Sequence, residues 1–384
     1  MTSKERVAAA IACKPVDKVP LGFYVVDYDT IEHVLGRPTY VRNKIATTIA
    51  LWEGRRDEVA ESLKKDTVEF YRKIDCADII FSHKEAHSLP PKGYEPERPK
   101  KIADDKWQFP DGRVCQASWE VNEIACVYDP RPPKTECDFK VEDFEGPIEE
   151  PKPPDPSTEE ASEYLLAELG NKRYIAGPCG GTTALAHFGG FENTMMMHAL
   201  RPELVHAANR RSVKLQNMYD KQRVRPGMSG FYMEQDMAGS NGPHVSPQMF
   251  RELCFPYFKE RVQHAKKYLP QVILHNCGNN IPYMEMFIEA GLDCYQSLQT
   301  TAGMEIGRLK EMFGRRICFW GGVAVENLIL GTPEDVRRDV RTALERGAPG
   351  SGFILGPSHS IAKNTKYENF MAMLNEFDRL RDKF

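Results

Sequence analysis

The sequence predicts an α/β fold of the (β/α)8 barrel (TIM barrel) class, in which parallel strands alternate with helices. Eight short apolar runs typical of strands follow one another, and helical stretches separate nearly all of them. The alternative is two Rossmann-like halves, but no strand is followed by their G-x-G-x-x-G motif. The nearest match, residues 177–181, has a proline and the wrong spacing. We therefore expect one domain over residues 1–384.

The predicted elements run in a regular order along the chain. The strands are expected at residues 19–24, 77–81, 172–178, 228–234, 271–278, 292–297, 316–322 and 352–356. The helices are expected at residues 4–11, 52–73, 157–169, 202–223, 247–268, 283–290 and 333–346. The first helix is an N-terminal extension with Ser3 as its expected N-cap, and Ser157 with Glu160 fits a capping box for the third.

Residues 82–155 differ in composition from the rest of the chain because they are rich in proline. Within them, residues 107–109 and 113–115 flank Pro110-Asp111-Gly112, a pattern that predicts a β-hairpin. A structureless loop of this length would be unusual in a compact domain, so we predict a β-rich insertion after the second strand. In a barrel it should lie on the catalytic face, as a lid or a docking surface.

Bulk composition excludes several classes of function. The net charge of −4 over 384 residues gives no general field for nucleic acid or acidic membranes, and no segment is long and apolar enough to span a bilayer. The N-terminus is polar, so we expect a soluble, cytoplasmic protein. Ten cysteines without paired spacing favour reduced thiols over a disulfide framework. They are Cys13, Cys76, Cys115, Cys126, Cys137, Cys179, Cys254, Cys277, Cys294 and Cys318.

The strand at residues 271–278 ends in two side chains that can bind a metal. If its end stays extended, His275 and Cys277 project to the same side, because strand side chains alternate with period two. His359 follows the last strand and should reach the same barrel mouth. Three protein ligands with a fourth position open is the pattern of a catalytic zinc site. The alternative is a core histidine beside a small buried cysteine, with His359 in a surface loop.

Other polar residues follow the neighbouring strands. Glu234 and Asp236 end the fourth strand and are the candidate catalytic carboxylates, and Glu234 is also a candidate fourth metal ligand. Gln296 on the sixth strand and Tyr232 on the fourth are candidate substrate-binding residues. The alternative for the two carboxylates is that they cap loops or hydrogen-bond locally.

The chain resembles the uroporphyrinogen decarboxylase superfamily, and more closely its cobalamin-linked methyltransferase branch. Residues 275–279 match the HxCGN metal motif of that branch. The other matching segments are residues 4–7, 17–20, 235–236, 245–247, 320–323, 331–334 and 367–369. The resemblance therefore runs along almost the whole chain.

Two departures from the family bear on activity. Decarboxylases carry an arginine-rich RQAGR segment after the first strand, whereas residues 24–29 here are acidic and without arginine, which disfavours porphyrinogen decarboxylation. Thiol-methylating members end their site with a GCG cysteine, whereas the matching residue here is His359. A His/Cys/His set is harder than His/Cys/Cys, so it suits an oxygen ligand better than a thiol.

The resemblance implies a zinc-dependent methyltransferase that demethylates a methoxylated, aromatic substrate. The methyl acceptor would be the Co(I) cobamide of a separate corrinoid protein, because residues 31–36, the nearest match to a cobamide-binding Asp-x-His-x-x-Gly motif, have isoleucine in place of aspartate. One alternative is the opposite half-reaction, from methylcobamide to a thiol or folate. Another is a metal-free member that binds a small molecule or scaffolds a complex.

Overall fold

The computed structural model describes residues 1–132 and 138–384, so Cys137 and part of the predicted insertion lie outside the described residues. Helices and strands alternate along most of the chain. The helices are α1 (Ser3–Ile11), α2 (Tyr28–Leu35), α3 (Lys44–Trp52), α4 (Arg56–Lys73), α5 (Ser82–Glu85), α6 (Glu160–Leu169), α7 (Phe191–Leu200), α8 (Pro202–Arg223), α9 (Pro247–Met249), α10 (Phe255–Ala265), α11 (Met284–Ala290), α12 (Ile306–Phe313), α13 (Val325–Ile329), α14 (Pro333–Gly347) and α15 (Tyr367–Leu380). Across the described residues, no helix is both long and apolar enough to cross a membrane.

The strands form a large parallel sheet and two smaller antiparallel ones. The strands are β1 (Ile79–Phe81), β2 (Lys100–Ala103), β3 (Lys106–Gln108), β4 (Val114–Ser118), β5 (Glu123–Tyr128), β6 (Tyr174–Gly181), β7 (Gly230–Glu234), β8 (Ala238–Gly239), β9 (Gly242–Pro243), β10 (Val272–His275), β11 (Cys294–Gln296), β12 (Cys318–Val323) and β13 (Phe353–Pro357). The parallel sheet has the order β1-β6-β7-β10-β11-β12-β13, in which neighbours in space are neighbours among the parallel strands of the chain. This curled sheet confirms the predicted α/β class and is TIM-barrel-like.

The first predicted strand, at residues 19–24, is reduced to isolated bridges. Gly22 pairs with Ile79 of β1 and Leu21 pairs with Leu355 of β13, so these two residues link both edges of the sheet. Pro20 has no backbone N–H to donate, so the hydrogen-bond ladder of this segment with its neighbouring strands stays short. Gly22 permits the close approach, because an added Cβ would lie 2.0 Å from a side-chain carbon of Ile79.

In the parallel sheet, successive residues of a strand belong alternately to two separate apolar clusters, because strand side chains point to opposite faces in turn. Ile80 and Leu274 are among those that pack against the surrounding helices. Ile79, Ile273 and Trp320 are among those that form a second cluster with residues of α1. The N-terminal extension therefore packs against the sheet's second apolar face.

The predicted β-rich insertion contains a four-stranded antiparallel sheet of order β2-β3-β4-β5. Trp107 pairs with Cys115, as the predicted hairpin requires. The turn between β4 and β5 touches the segment that follows β13, because the Lys363 ammonium donates to the carbonyl of Trp119. The β4–β5 turn of the insertion thus lies beside the segment that follows β13 and carries His359.

Two predicted helix caps and one predicted helix differ from the structure. Thr2 caps α1 in place of Ser3, and Asp155 caps the 3₁₀ turn before α6 in place of the Ser157 capping box. In each case a residue one or two positions earlier has a side-chain oxygen that accepts from a free N–H group, Glu5 N–H for Thr2 and Ser157 N–H for Asp155. The predicted helix 247–268 contains a π-helical turn, Phe250–Cys254. Pro256 follows it and lacks the N–H that a regular α-helix would use there.

Candidate metal centre

The structure brings His275, Cys277 and His359 together at the carboxyl ends of β10 and β13. Each offers one ligand atom, and these atoms all lie within 4.8 Å of one another. The strand ends at His275, two residues before Cys277 and earlier than predicted, yet the Sγ of Cys277 lies 3.4 Å from the Nε2 of His275. The predicted convergence of the three side chains is therefore present.

A neighbouring strand orients His275. Gln296 of β11 pairs with His275 across the sheet, and its Oε1 accepts a hydrogen bond from the Nδ1–H of the imidazole. This bond leaves the lone pair of Nε2 directed toward Cys277. The Tyr24 ring stacks on the imidazole, with centroids 3.8 Å apart and 6° between the ring planes. Burial, only partly offset by the bond to Gln296, lowers the pKa of His275 to about 4, so the ring is neutral at pH 7.

A carboxylate and a hydroxyl group hold Cys277 in the loop after β10. Its N–H donates to Oδ1 of Asp236 at 2.9 Å, and its Sγ lies 3.3 Å from the Oγ of Ser297. Burial, reinforced by the charge of Asp236, raises the pKa of the Cys277 thiol to about 12. The thiol therefore stays protonated at neutral pH until a cation displaces the proton.

Glu234 lies beside this group of ligand atoms and is not one of the three residues that form it. Its Oε1 accepts from the Lys84 ammonium at 2.7 Å and its Oε2 from the Tyr24 hydroxyl at 2.8 Å. Burial alone would raise the pKa of the carboxyl. The charge of Lys84 and the bonds from Lys84 and Tyr24 outweigh burial and hold that pKa below its ordinary value. Glu234 is therefore ionised at neutral pH.

A cavity of about 720 Å³ lies beside the ligand group, and His275 and His359 line it while Cys277 does not. His275, His359, Glu234 and Asp236 form one wall, and the end of β6 and part of α8 form another. Gln296 and Tyr232, the predicted substrate-binding residues, do not line it. Both are fully buried. Gln296 instead touches His275, and Tyr232 packs edge-on against the ring of Phe81.

The donor set fits a zinc ion. Ligand atoms around one tetrahedral zinc lie roughly 3.3–3.8 Å apart, given Zn–N and Zn–S bonds of about 2.0–2.3 Å. The separation between Cys277 Sγ and His275 Nε2 already falls in this range, at 3.4 Å. Two neutral imidazoles and one thiolate would carry a single negative charge, and the open cavity leaves room for a fourth ligand.

The sequence profile described as Uroporphyrinogen decarboxylase (URO-D) matches residues 127–380, which is more than half of the chain. The chain belongs to the URO-D family. The three ligand residues and the described strands from β6 to β13 all lie inside the matched region. The segment of the first strand and helices α1 to α4 lie outside it, including Tyr24, which covers the imidazole of His275.

Individual relatives of this URO-D protein are distant. "Uroporphyrinogen decarboxylase" of Legionella pneumophila (strain Corby) is 22% identical over 161 residues, 40% of this chain and 45% of the relative. "Uroporphyrinogen decarboxylase 2, chloroplastic" of Oryza sativa subsp. japonica is 26% identical over 223 residues, 56% and 55% of the two chains. The chain thus spans about half the length of these curated relatives. A solved "methyltransferase from Methanosarcina mazei" superposes over 99% of both chains with a TM-score of 0.65 at 18% identity, which establishes a shared fold.

Sequence reasoning missed two residues of this URO-D site. Tyr24 belongs to a predicted strand, and Lys84 belongs to the short helix α5 directly after β1. Neither stands in a motif of metal ligands, and both reach Glu234 across more than 100 residues of chain. The sequence gives one indication that Lys84 is a site residue: it directly follows the carboxyl end of a parallel strand, where barrel active sites lie.

Proposed function

We propose that this protein is a zinc-dependent methyltransferase that moves a methyl group from a methoxylated, aromatic substrate to the Co(I) cobamide of a separate corrinoid protein. The observation that carries the proposal is the convergence of His275, Cys277 and His359 beside a substrate-sized cavity that the two histidines line. The shared fold with a methyltransferase from Methanosarcina mazei supports the reaction class. We also propose that residues 1–384 form one (β/α)8 domain with an insertion at residues 82–155.

His275, Cys277 and His359 would hold the zinc. When bound, the ion supplies Lewis acidity that offsets the negative charge developing on the ether oxygen that leaves. Phenolate is a poor leaving group unless its negative charge is stabilised. A metal beside this cavity would supply that stabilisation. The harder His/Cys/His set favours an oxygen ligand over a thiolate.

The remaining residues hold the three ligands in place and keep the site polar on one side. Gln296 fixes the tautomer of His275, and Asp236 holds the backbone of Cys277. We therefore assign Gln296 to the support of a ligand and not to substrate binding. Glu234 is held by Lys84 and Tyr24 in its ionised form, which favours a role as a hydrogen-bond acceptor for substrate or for a metal-bound water over direct ligation.

The insertion would help form the docking surface for the corrinoid protein. Its β4–β5 turn lies next to the loop that carries His359, so a partner above the cavity would touch both. Asn122 in that turn also donates to the carbonyl of Arg42 at 2.9 Å, which ties the insertion to the segment before α3.

The test is methyl transfer measured by the visible spectrum of cobalt, with purified protein, reduced corrinoid protein and a set of methoxylated aromatics. We expect demethylation that needs about one zinc per chain, and little transfer from methylcobalamin to a thiol. His359→Cys should retain zinc but lose demethylation. His187→Cys is the matched control, because His187 lines the same cavity outside the ligand set.

Two results would contradict this assignment. Full activity in protein without stoichiometric metal would remove zinc from the mechanism. Brisk thiol or folate methylation by the unmodified protein, with no response to any methyl ether, would favour the opposite half-reaction. Methyl-ether binding without any transfer in either direction would favour a small-molecule-binding member of the family.

A further inference from the structure

The insertion carries two cysteines that face each other across neighbouring strands. Cys115 of β4 and Cys126 of β5 are paired directly in the antiparallel ladder, and the register stays regular from this pair to Ser118 and Glu123. Directly opposite residues of antiparallel strands have Cα atoms about 4.5–5.5 Å apart. A disulfide requires a Cα separation of about 4.4–6.8 Å. The backbone of the sheet therefore meets the first geometric requirement for a bond between the two sulfur atoms.

The two side chains project from the same face of this sheet. Because side chains alternate along a strand, Cys115 shares a face with Ala117, and Cys126 shares a face with Ile124. Ala117 and Ile124 are themselves paired across the ladder, and both pack in one apolar cluster with Trp107. Burial raises the pKa of the Cys115 thiol, and the neighbouring Cys126 thiol adds to that rise. The two thiols therefore lie side by side on the face that holds this cluster.

Solvent reaches one of the two thiols directly. Cys126 is exposed, and its Sγ donates a hydrogen bond to the carbonyl of Tyr128 at the protein surface, whereas Cys115 is half-buried beside it. Cys294 of β11 and Cys318 of β12 also pair across neighbouring strands, but both are fully buried. A reagent in solution can therefore react with the pair in the insertion while the protein is folded, and it cannot reach the buried pair.

The chain between Cys115 and Cys126 holds a turn that contacts two other segments. Asn122 in this turn donates to the carbonyl of Arg42 at 2.9 Å, and the carbonyl of Trp119 accepts from an ammonium in the segment after β13. A bond between the two cysteines would close a covalent loop around this turn. Such a loop removes chain entropy from the states in which the turn is detached, so those states become less populated.

We propose that Cys115 and Cys126 are a redox-modifiable thiol pair that reacts with low-molecular-mass disulfides and, when oxidised, fixes the β4–β5 turn. The inference rests on the register and exposure of the insertion sheet and is independent of the proposed methyl transfer. It goes beyond that function because it assigns a modification site outside the metal centre.

The reaction is thiol–disulfide exchange in two steps. The Cys126 thiolate attacks one sulfur of the external disulfide, whose S–S bond breaks and releases one thiolate. The Cys115 thiolate then attacks the Sγ of Cys126 and displaces the second thiolate. Two protein thiols are thereby oxidised to one disulfide, and the external disulfide is reduced. The two protons lost by the protein thiols pass to the released thiolates.

The test is the thiol state of the full-length protein in glutathione buffers. The reduced protein is incubated with an excess of glutathione disulfide, its remaining thiols are alkylated, and it is digested without reductant. Mass spectrometry should find a cross-linked peptide that joins Cys115 to Cys126, and dithiothreitol should restore both thiols. Hydrogen exchange at residues 119–122 should be about 10-fold or more slower in the oxidised protein, because the closed loop opens less often.

Serine variants separate the two steps. Cys115→Ser should stop the reaction at a mixed disulfide between Cys126 and glutathione, because no second thiol resolves it. Cys126→Ser should leave Cys115 largely as a free thiol. Cys13→Ser is the matched control, since Cys13 is a half-buried cysteine outside the pair, and it should keep both the cross-link and the slower exchange. Circular dichroism checks that each variant is folded.

Four results would overturn the inference. The first is that both thiols stay free in excess glutathione disulfide, and the second is a mixed disulfide at Cys126 that persists in the unmodified protein. The third is a cross-link from Cys126 to Cys137, which lies outside the described residues. The fourth is unchanged hydrogen exchange in the cross-linked protein. None of these measurements depends on methyl transfer, so a failure of the proposed function would leave this inference standing.

Discussion

Two polar clusters lie at opposite ends of the same parallel sheet, and they differ in how their groups are satisfied. At the amino end, Asp78 precedes β1 and accepts from Arg6 and Arg381, each at 2.6 Å, and from the backbone of Leu21 at 3.0 Å. All three charged residues are at most 5% exposed. Here each charge has an opposite charge or a hydrogen bond.

At the carboxyl end, the His275/Cys277/His359 group has no comparable charge pairing within it. Two imidazoles and a protonated thiol converge, and the contact between His275 and Cys277 is at best a weak hydrogen bond. In barrel enzymes, polar residues at the amino end of the strands contribute stability and those at the carboxyl end contribute chemistry. The difference therefore separates a cluster whose charges are paired from one whose side chains could hold a metal ion.

The largest expected effect breaks the amino-end cluster. Asp78→Ala leaves Arg381 buried without its carboxylate and leaves Arg6 with Asp17 alone, and removing one member of a buried pair costs about 3–5 kcal/mol. The free energy of unfolding by urea measures the loss. Asp17→Ala is the control, because Asp17 bonds the same Arg6 from a side chain that is 39% exposed and should cost about 1 kcal/mol or less. If the metal content of folded Asp78→Ala protein also fell, the two clusters would not be independent.

The next effect concerns the carboxyl-end cluster. Cys277→Ala removes the one thiolate donor and should weaken zinc binding by about 100-fold or more, since structural zinc sites gain about 10–16 kcal/mol from all their ligands together. The free energy of unfolding of the metal-free protein should change little. Elemental analysis and competition with a chelator measure the affinity. Cys179→Ala is the matched control, a half-buried cysteine outside the ligand set, and equal zinc loss in both variants would contradict the assignment.

A smaller effect tests the support of a ligand. Gln296→Leu removes the acceptor that orients His275 and should lower zinc affinity about 10- to 100-fold, as the loss of such partners does in other metal sites. Gln296→Glu keeps an acceptor and should restore most of the affinity. If Gln296→Leu instead left zinc affinity unchanged and weakened only substrate binding, the role first expected for this residue would be correct.

The sequence predicts the parts of this comparison that depend on local periodicity. The spacing of His275 and Cys277, and the position of His359 after a strand, are enough to predict their convergence. Asp78 gives no such signal, because its partners Arg6 and Arg381 lie 72 and 303 residues away and meet it only in the folded chain. Tyr24 is missed as a site residue for the same reason.

Backbone detail also limits what the sequence predicts. The first strand consists of bridges at Leu21 and Gly22, which depend on the close packing of Gly22 against Ile79. Gln296 and Tyr232 are residue types that can contact a substrate. Whether a strand residue lines the cavity or stays buried within the sheet, however, depends on how strongly the sheet curls. That curl is a property of all the strands together.

The smallest expected effect is the pH dependence of zinc binding, and it tests whether the carboxyl-end cluster is uncharged before metal arrives. With the pKa of Cys277 at about 12 and that of His275 at about 4, the thiol is protonated and the imidazole is neutral between pH 7 and 9. Burial also lowers the pKa of His359, so this ring is neutral there too. Zinc binding should then release one proton, from the thiol, and affinity should rise about tenfold per pH unit.

Calorimetry in buffers of different ionisation enthalpy counts the protons that zinc binding releases. Release of two or more would mean that an imidazole was charged, and Cys277→Ala should release none while Cys179→Ala still releases one.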